Sequence, residues 1–390
     1  MTREPLAAVV GHGQSRISRE PIGSARSLAV EAIMAALTDA GLEIDDVDGL
    51  LINRSPSAPV RSLPLAIQRD AGLRNLSVLT CIDGEGCSAI QMIQYASFAL
   101  AHGQADTIVC VFADARIATS GGGSGYASVM TITGDEAWDA QHGLHGAVGP
   151  YALAARRYLS HYGLDETALG QYVLSNRRWA QLNEAAFMRK PLAMDEYLAS
   201  RWIVEPLRLL DCAFPVNGAA AVVVTSADRA EDYEHAVYVH GAGQGHSGTP
   251  HMNVHEGELV TGAVQAANQV FSAAQVMPSD VSLCQFYDNF SYVGLQLLED
   301  YGLCPRGEAS AFIRDGHTSP GGRLPVATGG GHLSGSYLQG MTPIIEAVVQ
   351  GSQRGGARQV PNTDLILVTG VGGRMDYHAA LLMSPMRVLS

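Results

Sequence analysis

Four glycine-rich segments of this 390-residue chain carry side chains that could do chemistry. The first is Asp83-Gly84-Glu85-Gly86-Cys87-Ser88, which leads from an apolar run into a helical pattern. Such a turn presents backbone N–H groups and the positive end of a helix dipole. A cysteine placed there gains thiolate character and suits nucleophilic catalysis. The plainer reading of Gly86, Cys87 and Ser88 is a tight turn that needs small residues. The second segment, Tyr287-Asp288-Asn289-Phe290, follows a strand pattern. Ligands of open α/β sheets bind just beyond the carboxyl ends of strands. Alternatively, the Tyr287 ring completes the core with its hydroxyl at the rim. Asp288 is expected to anchor this turn by accepting backbone N–H groups rather than to titrate in catalysis. The third segment, Gly329 to Gly340, holds Gly331, His332 and Tyr337. Its glycines point to a close backbone approach, to a ligand or to a facing half. The fourth, Gly370-Val371-Gly372-Gly373, reads alone as a turn between strands.

The elements that must position these segments alternate. Leu6 to Val10 is a short apolar strand pattern, and Ser24 is suited to cap a helix from about Ala25 to Asp39, closed by Gly41. Strand patterns recur at Asp46 to Ile52, Ser77 to Ile82 and Asp106 to Phe112, with a long helix between the last two. Strands with few polar positions are covered on both faces, which suggests a mostly parallel sheet and an α/β class. Residues 115 to 205 differ: they hold Gly121 to Gly125, all three tryptophans, and Arg177, Arg178, Arg189 and Lys190. A helix is expected near Asp165 to Leu182, carrying Arg177 and Arg178, and the stretch as a whole reads as a loop region inserted over a site. From about Ala236 the grammar restarts, with a strand to His240, a helix near Gly262 to Ala274 and a strand at Ser282 to Phe286. Two matching halves, 1–235 and 236–390, follow as the expected organisation.

Composition removes several function classes. Hydrophobic residues make up 47% and charged residues 16%, which excludes a disordered chain. The formal net charge is −13, with no run of Lys or Arg, so neither a nucleic-acid footprint nor attraction to anionic membranes is expected. The longest apolar runs, such as Ala219 to Val224, fall far short of the roughly 20 residues of a membrane span. Met1 to Pro5 lacks the apolar stretch of a signal peptide, so a cytoplasmic setting is expected. The six cysteines form no CxxC pair, so no metal site is expected in this chain.

The order of the four segments resembles the thiolase superfamily over nearly the whole chain. Thiolases carry a nucleophilic cysteine in a Cys-x-Ser pattern in the first turn. They carry an Asn or His before Glu/Asp-Ala-Phe in the second, a Gly-His-Pro histidine in the third and a cysteine before glycines in the fourth. Counting back along the helix from His102-Gly103-Gln104-Ala105-Asp106 puts the nucleophile position on Gly86, with Ser88 matching the serine and Cys87 one residue late. Tyr287 takes the place of the Asn or His, Tyr337 stands where the histidine belongs, and Gly370 stands near the last cysteine. The chain is more specifically similar to the lipid-transfer-protein-type (SCP-x thiolase-like) aldolases of steroid side-chain degradation. The marks are Tyr287-Asp288-x-Phe290-Ser291, Leu298 to Cys304, Gly307-Glu308, Pro320-Gly321-Gly322, Leu324-Pro325 and Leu333-Ser334 to Tyr337. Two departures are that the family's usual Asn is Ala327 here, and that Asn289 replaces a small residue.

The resemblance implies a thiolase fold, with two βαβαβαββ-type halves in a layered α-β-α-β-α core. It implies catalytic roles for Tyr287 and Tyr337 in retro-aldol cleavage of a β-hydroxyacyl-CoA without a covalent acyl intermediate. Gly86 and Gly372 are then candidate oxyanion donors, and Cys87, Ser88, Asp288, Gly331 and His332 are site wall. Arg177, Arg178 and His246 are candidate CoA contacts, His246 and His332 also candidate neighbours of a tyrosine. The CoA thioester is the substrate, and no cofactor is expected in this chain. The resemblance further implies a DUF35 partner (an OB-fold plus a zinc ribbon) that supplies the zinc, and a homodimer within an α2β2 heterotetramer. The apolar strand Thr107 to Phe112, read as an edge, is the expected dimer contact. Two other readings stay open: a thiolase or acyltransferase using Cys87, and a non-catalytic lipid-binding subunit.

Overall fold

The computed structural model describes residues 4–58, 63–117, 134–144, 146–246 and 259–389. The run Gly121 to Gly125 lies outside the described residues. The chain begins with β1 (Ala7–Gln14), α1 (Ala25–Ala40), β2 (Gly49–Asn53), α2 (Leu63–Ala71), β3 (Val78–Ile82), α3 (Ser88–Ala101) and β4 (Thr107–Asp114). Ser24 caps α1 through the Ser27 N–H, and Gly41 closes the helix. The insert is largely helical rather than loop: α4 (Gly134–Gln141), α5 (Val148–Tyr162), α6 (Thr167–Gln181), which is the expected helix, and α7 (Met194–Ala199), then the hairpin β5 (Trp202–Val204) and β6 (Leu207–Arg208). Its small, alternating apolar residues bury one helix face each, which is why Tyr158, Leu169 and Val173 sit in the core. β7 (Gly218–Thr225) returns to the sheet.

The chain continues with β8 (Val237–Gly245), α8 (Ala263–Ala274), β9 (Leu283–Gln285), α9 (Ser291–Asp300), α10 (Ala309–Arg314), α11 (Met341–Gly351), β10 (Ile366–Gly372) and β11 (Tyr377–Ser384). Among the described residues the main sheet has nine strands in the order β3-β2-β4-β7-β1-β8-β11-β10-β9. Outward from β1 the order is β7, β4, β2, β3; outward from β8 it is β11, β10, β9. Among the described residues the two sides of the sheet join where Ala7, Ala8 and Val9 pair with Val239, Tyr238 and Val237.

The core is layered. Leu28, Ile33 and Ile67 of α1 and α2 pack on Val10, Leu50 and Val223. Ile90 and Ile93 of α3 and Ile344 of α11 pack between Val9 and Val222 on one side and Val239 and Val368 on the other. Helices α5, α6, α8 and α9 cover the remaining face, against Cys284, Leu367 and Leu382. This gives helix, sheet, helix, sheet, helix. It also places the start of α3 against the ends of β10 and β11, where the four glycine-rich segments converge.

Two expectations are corrected. The sheet is mixed rather than mostly parallel, because β4 pairs antiparallel with β7 and β10 antiparallel with β11. The lack of charge reports burial on both faces, not strand direction; each buried Val or Ile contributes about 2 kcal/mol whichever way its neighbour runs. Strand β4 is also not an edge. It lies between β2 and β7 with all eight residues buried, and the sheet's edges are β3 and β9.

Candidate active site

The turn before α3 sets the floor of the site. Glu85 takes a left-handed φ of 49°, which swings Gly86 under the Tyr287 ring. A Cβ on Gly86 would stand 2.0 Å from the Val371 carbonyl oxygen and 2.4 Å from two Tyr287 ring carbons. The ring therefore fills the space a side chain at position 86 would need. Tyr287 follows β9 and is fixed by its N–H, which donates to Thr369 Oγ1 at 3.2 Å on the neighbouring β10.

Tyr337 arrives from the wide helical turn Gly331–Gly335 and meets Tyr287 hydroxyl to hydroxyl at 2.7 Å. Gln339 Oε1 lies 3.4 Å from the Tyr287 hydroxyl. Tyr287 is buried, whereas Tyr337 is partly open to solvent. Burial pushes the Tyr287 phenol well above its ordinary value, and Tyr337 pushes it further. Burial raises Tyr337 too, but the Arg116 guanidinium and the hydrogen bond from Tyr287 oppose that rise. The Arg116 guanidinium carbon is 5.8 Å from the centre of the Tyr337 ring.

Beneath the pair is a buried clamp. The His332 ring lies edge-on to both tyrosines, at 4.7 and 4.9 Å between ring centres. His332 Nδ1 accepts the Asp288 N–H at 3.2 Å, so the ring proton sits on Nε2 and is donated to the Gln339 carbonyl at 3.1 Å. Asp288 accepts the His332 N–H at 2.8 Å, the Tyr172 hydroxyl at 3.1 Å and the Asn176 amide. Gly331 has a φ of 56°, and a Cβ there would stand 2.3 Å from Asp288 Oδ2, so only glycine lets this turn close on the carboxyl.

Burial pushes Asp288 up to about 7 and His332 down to about 3. Asp288 stability is present at low pH and lost as pH rises from its ordinary 3.8 toward about 7. His332 stability is present above its ordinary 6.5 and lost as pH falls toward about 3. Between these ordinary values the two slopes cancel. Asp288→Asn uncovers the histidine term: its stability should fall more steeply than the parent's as pH drops from about 6.5 to about 4, by up to about 1.4 kcal/mol per pH unit. Urea midpoints across that range measure the difference, and parallel slopes would contradict the raised carboxyl.

The other candidates are scattered by comparison. Cys87 is fully buried in the layer between the sheet's two sides, and burial reinforced by Glu85 pushes its thiol well up. Ser88 accepts the Gly84 N–H at 2.8 Å and so ties the turn rather than facing the tyrosines. A Cβ on Gly372 would stand 2.4 Å from the Gly84 carbonyl oxygen, which packs the end of β10 against the same turn. Arg177 is buried and donates to Ser334 Oγ at 3.0 Å and to the Lys190 carbonyl at 3.1 Å, bracing the Gly331–Gly335 turn. Arg178 donates to Ser319 at 3.0 Å beside an open cleft of about 680 Å³ that includes Pro320, Gly321, Gly322 and Arg323. His246 is exposed, stands against the Tyr377 ring and shares a hydrogen bond with Gln244; of the two histidines, His332 is the one that adjoins the tyrosines. Arg189 and Lys190 are exposed. Cys87→Ala is expected to keep full turnover while losing about 1–2 kcal/mol of stability. An acyl adduct on Cys87 in intact-mass spectra would contradict this.

Arg116, Tyr151 and Gln339 were not reached from the sequence. Tyr151 donates to the Gly373 carbonyl at 3.3 Å and packs on Phe290. Arg116 had a readable signal, since Asp114-Ala115-Arg116 ends a strand at its carboxyl end. Among the described residues no group of His, Cys, Asp and Glu could hold a metal, and no helix is long and apolar enough to cross a membrane.

The family model "Thiolase C-terminal domain-like" matches residues 208–385. A steroid side-chain-cleaving aldolase of Thermomonospora curvata is 35% identical over 378 residues, covering 94% of this chain and 95% of that protein. The chain belongs to the steroid side-chain-cleaving aldolases of the thiolase superfamily. The 17-hydroxy-3-oxo-4-pregnene-20-carboxyl-CoA lyase of Mycobacterium tuberculosis is likewise 35% identical over 381 residues, covering 94% of each chain. The solved Ltp2-ChsH2(DUF35) aldolase superposes with a TM-score of 0.87 at 33% identity, over 97% of each chain. This aldolase family accounts for the fold, which is the thiolase fold, and for the reaction class, a carbon–carbon lyase. Several motif residues of the family serve the frame. Glu299 accepts the Tyr158 hydroxyl, and Asp300 accepts Thr261 Oγ1 at 2.7 Å and Arg306 at 2.9 Å. Ala327 holds a left-handed φ of 54°, a conformation in which the family's usual Asn is more at ease.

Proposed function

We propose that the chain is a retro-aldolase that cleaves the Cα–Cβ bond of a β-hydroxyacyl-CoA on a steroid side chain. The products are a ketone (or aldehyde) and a short acyl-CoA. The observation that carries this reading is the 2.7 Å hydroxyl pair of Tyr287 and Tyr337 above a glycine at position 86. The name of the M. tuberculosis relative supports a CoA-linked steroid carrying a hydroxyl group.

One phenolate removes the β-hydroxyl proton. The electron pair left on oxygen by the O–H bond forms the new carbonyl π bond, the Cα–Cβ bond breaks, and its electron pair becomes a thioester enolate. The second phenol protonates the α-carbon. Both tyrosines then return to their starting states when a proton passes along the hydrogen bond between them. No atom is gained or lost, and no free CoA is consumed. Backbone N–H groups of Gly86 and Gly372 are the candidate donors to the enolate oxygen. The Asp288–His332 clamp positions the two phenols without itself exchanging protons, and Arg177 braces the turn that carries Tyr337. Arg178 and the exposed His246 are the candidates for contact with CoA.

A DUF35 partner is part of this reading, supported by the assembly in the Ltp2-ChsH2(DUF35) aldolase. The zinc expected with it belongs to that partner, and the assembly expected is two of each chain in the cytoplasm. The homodimer contact moves from β4 to β3, the sheet edge of the first half, whose last four residues are half-buried. Two duplicated halves, 1–235 and 236–390, are also part of this reading, and the boundary agrees with the turn from β7 to β8. The test is to supply the complex with steroid-CoA esters that have or lack the β-hydroxyl. Only the hydroxylated ester should be cleaved, giving ketone and acyl-CoA in equal amounts. Binding of both esters with cleavage of neither would favour a non-catalytic subunit.

A further inference from the structure

The retro-aldol reading leaves open which tyrosine accepts the substrate proton. We infer that Arg116 is a positioning residue that makes Tyr337, rather than Tyr287, the base, by holding a fixed positive charge over the Tyr337 ring. The inference rests on the proposed function above.

Arg116 lies two residues beyond the carboxyl end of β4 and is buried. Its guanidinium is gripped from behind by Asp114, and the two side chains are 2% and 3% exposed. Asp114 also accepts Ser55 Oγ at 3.0 Å and the Ser57 N–H at 3.0 Å. The next residue is pinned as well: Asn217 accepts the Ile117 N–H at 2.8 Å and donates to its carbonyl at 2.9 Å. Neither the charge nor its carrier is free to move. This geometry differs from that of a flexible surface arginine, because the charge is already in place before Tyr337 ionises.

A cation 5.8 Å from a neutral phenol ring gains a modest cation–π attraction. The same cation beside a phenolate gains a full charge–charge attraction in surroundings of low dielectric. It therefore favours the ionised form, and the preference grows as charge develops. Among the described residues, the groups facing Tyr337 include Asp114 at the end of β4 and Arg116 just beyond it, Glu85 before α3, Tyr287 after β9, Tyr151 on α5 and His332 beneath. His332 is neutral, pushed down to about 3. Glu85 and Asp114 both oppose ionisation of Tyr337, but each more weakly than Arg116 favours it. For Tyr287 the leading influences after burial are Tyr337, Tyr151 and Glu85, all of which oppose ionisation. The asymmetry matches access: Tyr337 is the partly open member of the pair.

The test is the pH profile of cleavage by the complex with a β-hydroxy steroid-CoA ester. Arg116→Gln should move the acid limb of kcat upward by about one pH unit. The loss at neutral pH should be about tenfold and should fade as pH rises. Asp114→Asn keeps a hydrogen-bonding side chain but removes the opposing charge, and should move the limb downward. A near-ultraviolet tyrosinate titration without substrate, with Tyr337→Phe as the reference, should shift in the same directions. An acid limb that stays in place in both variants, with loss constant at every pH, overturns the inference and leaves Arg116 a purely structural residue. If Arg116→Gln does not fold, Asp114→Asn carries the test alone, and an unmoved or upward-shifted limb overturns it. Full activity in Tyr337→Phe would instead overturn the retro-aldol reading itself.

Discussion

Tyr337→Phe loses cleavage by at least about a hundredfold while still binding the CoA ester. Positioned proton transfer is worth about 10²–10⁴ in rate, and phenylalanine keeps the ring while removing the only atom that can take the proton. The ring contact with His332, 4.9 Å between centres, survives the change, so the turn that carries residue 337 should stay folded. The hydroxyl of Tyr287 loses its 2.7 Å partner but keeps Gln339 at 3.4 Å. The measurement is single-turnover cleavage of a β-hydroxy steroid-CoA ester, with ester affinity determined separately. Loss of affinity with an unchanged cleavage rate would assign Tyr337 to binding and not to proton transfer.

Gly86→Ala is the second large effect, although it adds one methyl group. That methyl would stand 2.0 Å from the Val371 carbonyl oxygen and 2.4 Å from the Tyr287 ring. The carbonyl belongs to β10 and cannot retreat cheaply, so Tyr287 must move. Overpacking of this kind typically costs about 1–3 kcal/mol of stability. A displacement of about 1 Å in a catalytic group lowers the rate about a hundredfold. Thermal unfolding and kcat should therefore both fall. Gly86→Cys, which places a thiol at the thiolase nucleophile position, should fall equally and form no acyl adduct. A stable, fully active Gly86→Ala variant would mean that Tyr287 does not occupy that space during turnover.

The alternation of strands and helices is readable where buried strands are apolar and a helix is punctuated, as Ser24 and Gly41 punctuate α1. What periodicity could not supply was neighbourhood. Strand β4 is apolar from Ile108 to Ala113 because β2 and β7 flank it and helices cover both faces; a sequence cannot distinguish that from an apolar edge. In the insert only α6 is legible, because glycines and charges outweigh the helical periods elsewhere, yet α5 and α6 together deliver Tyr151, Tyr172 and Asn176 to the site. Those contacts span more than a hundred residues of chain, a separation at which local pattern carries no information. Tyr287 and Tyr337 were reached through motif order, and Gly86 through counting along one helix. The reason position 86 is glycine is visible only in three dimensions, as the space filled by the Tyr287 ring.

The central claim is cleavage by acid/base chemistry with no acyl-enzyme. Its most direct test is rapid quench of the complex turning over a β-hydroxy steroid-CoA ester without added CoA, followed by intact-mass analysis and product quantification. The predicted result is ketone and acyl-CoA in equal amounts, with the protein mass unchanged at every time point. A requirement for free CoA, or an acyl mass on this chain that rises and decays with turnover, would contradict it.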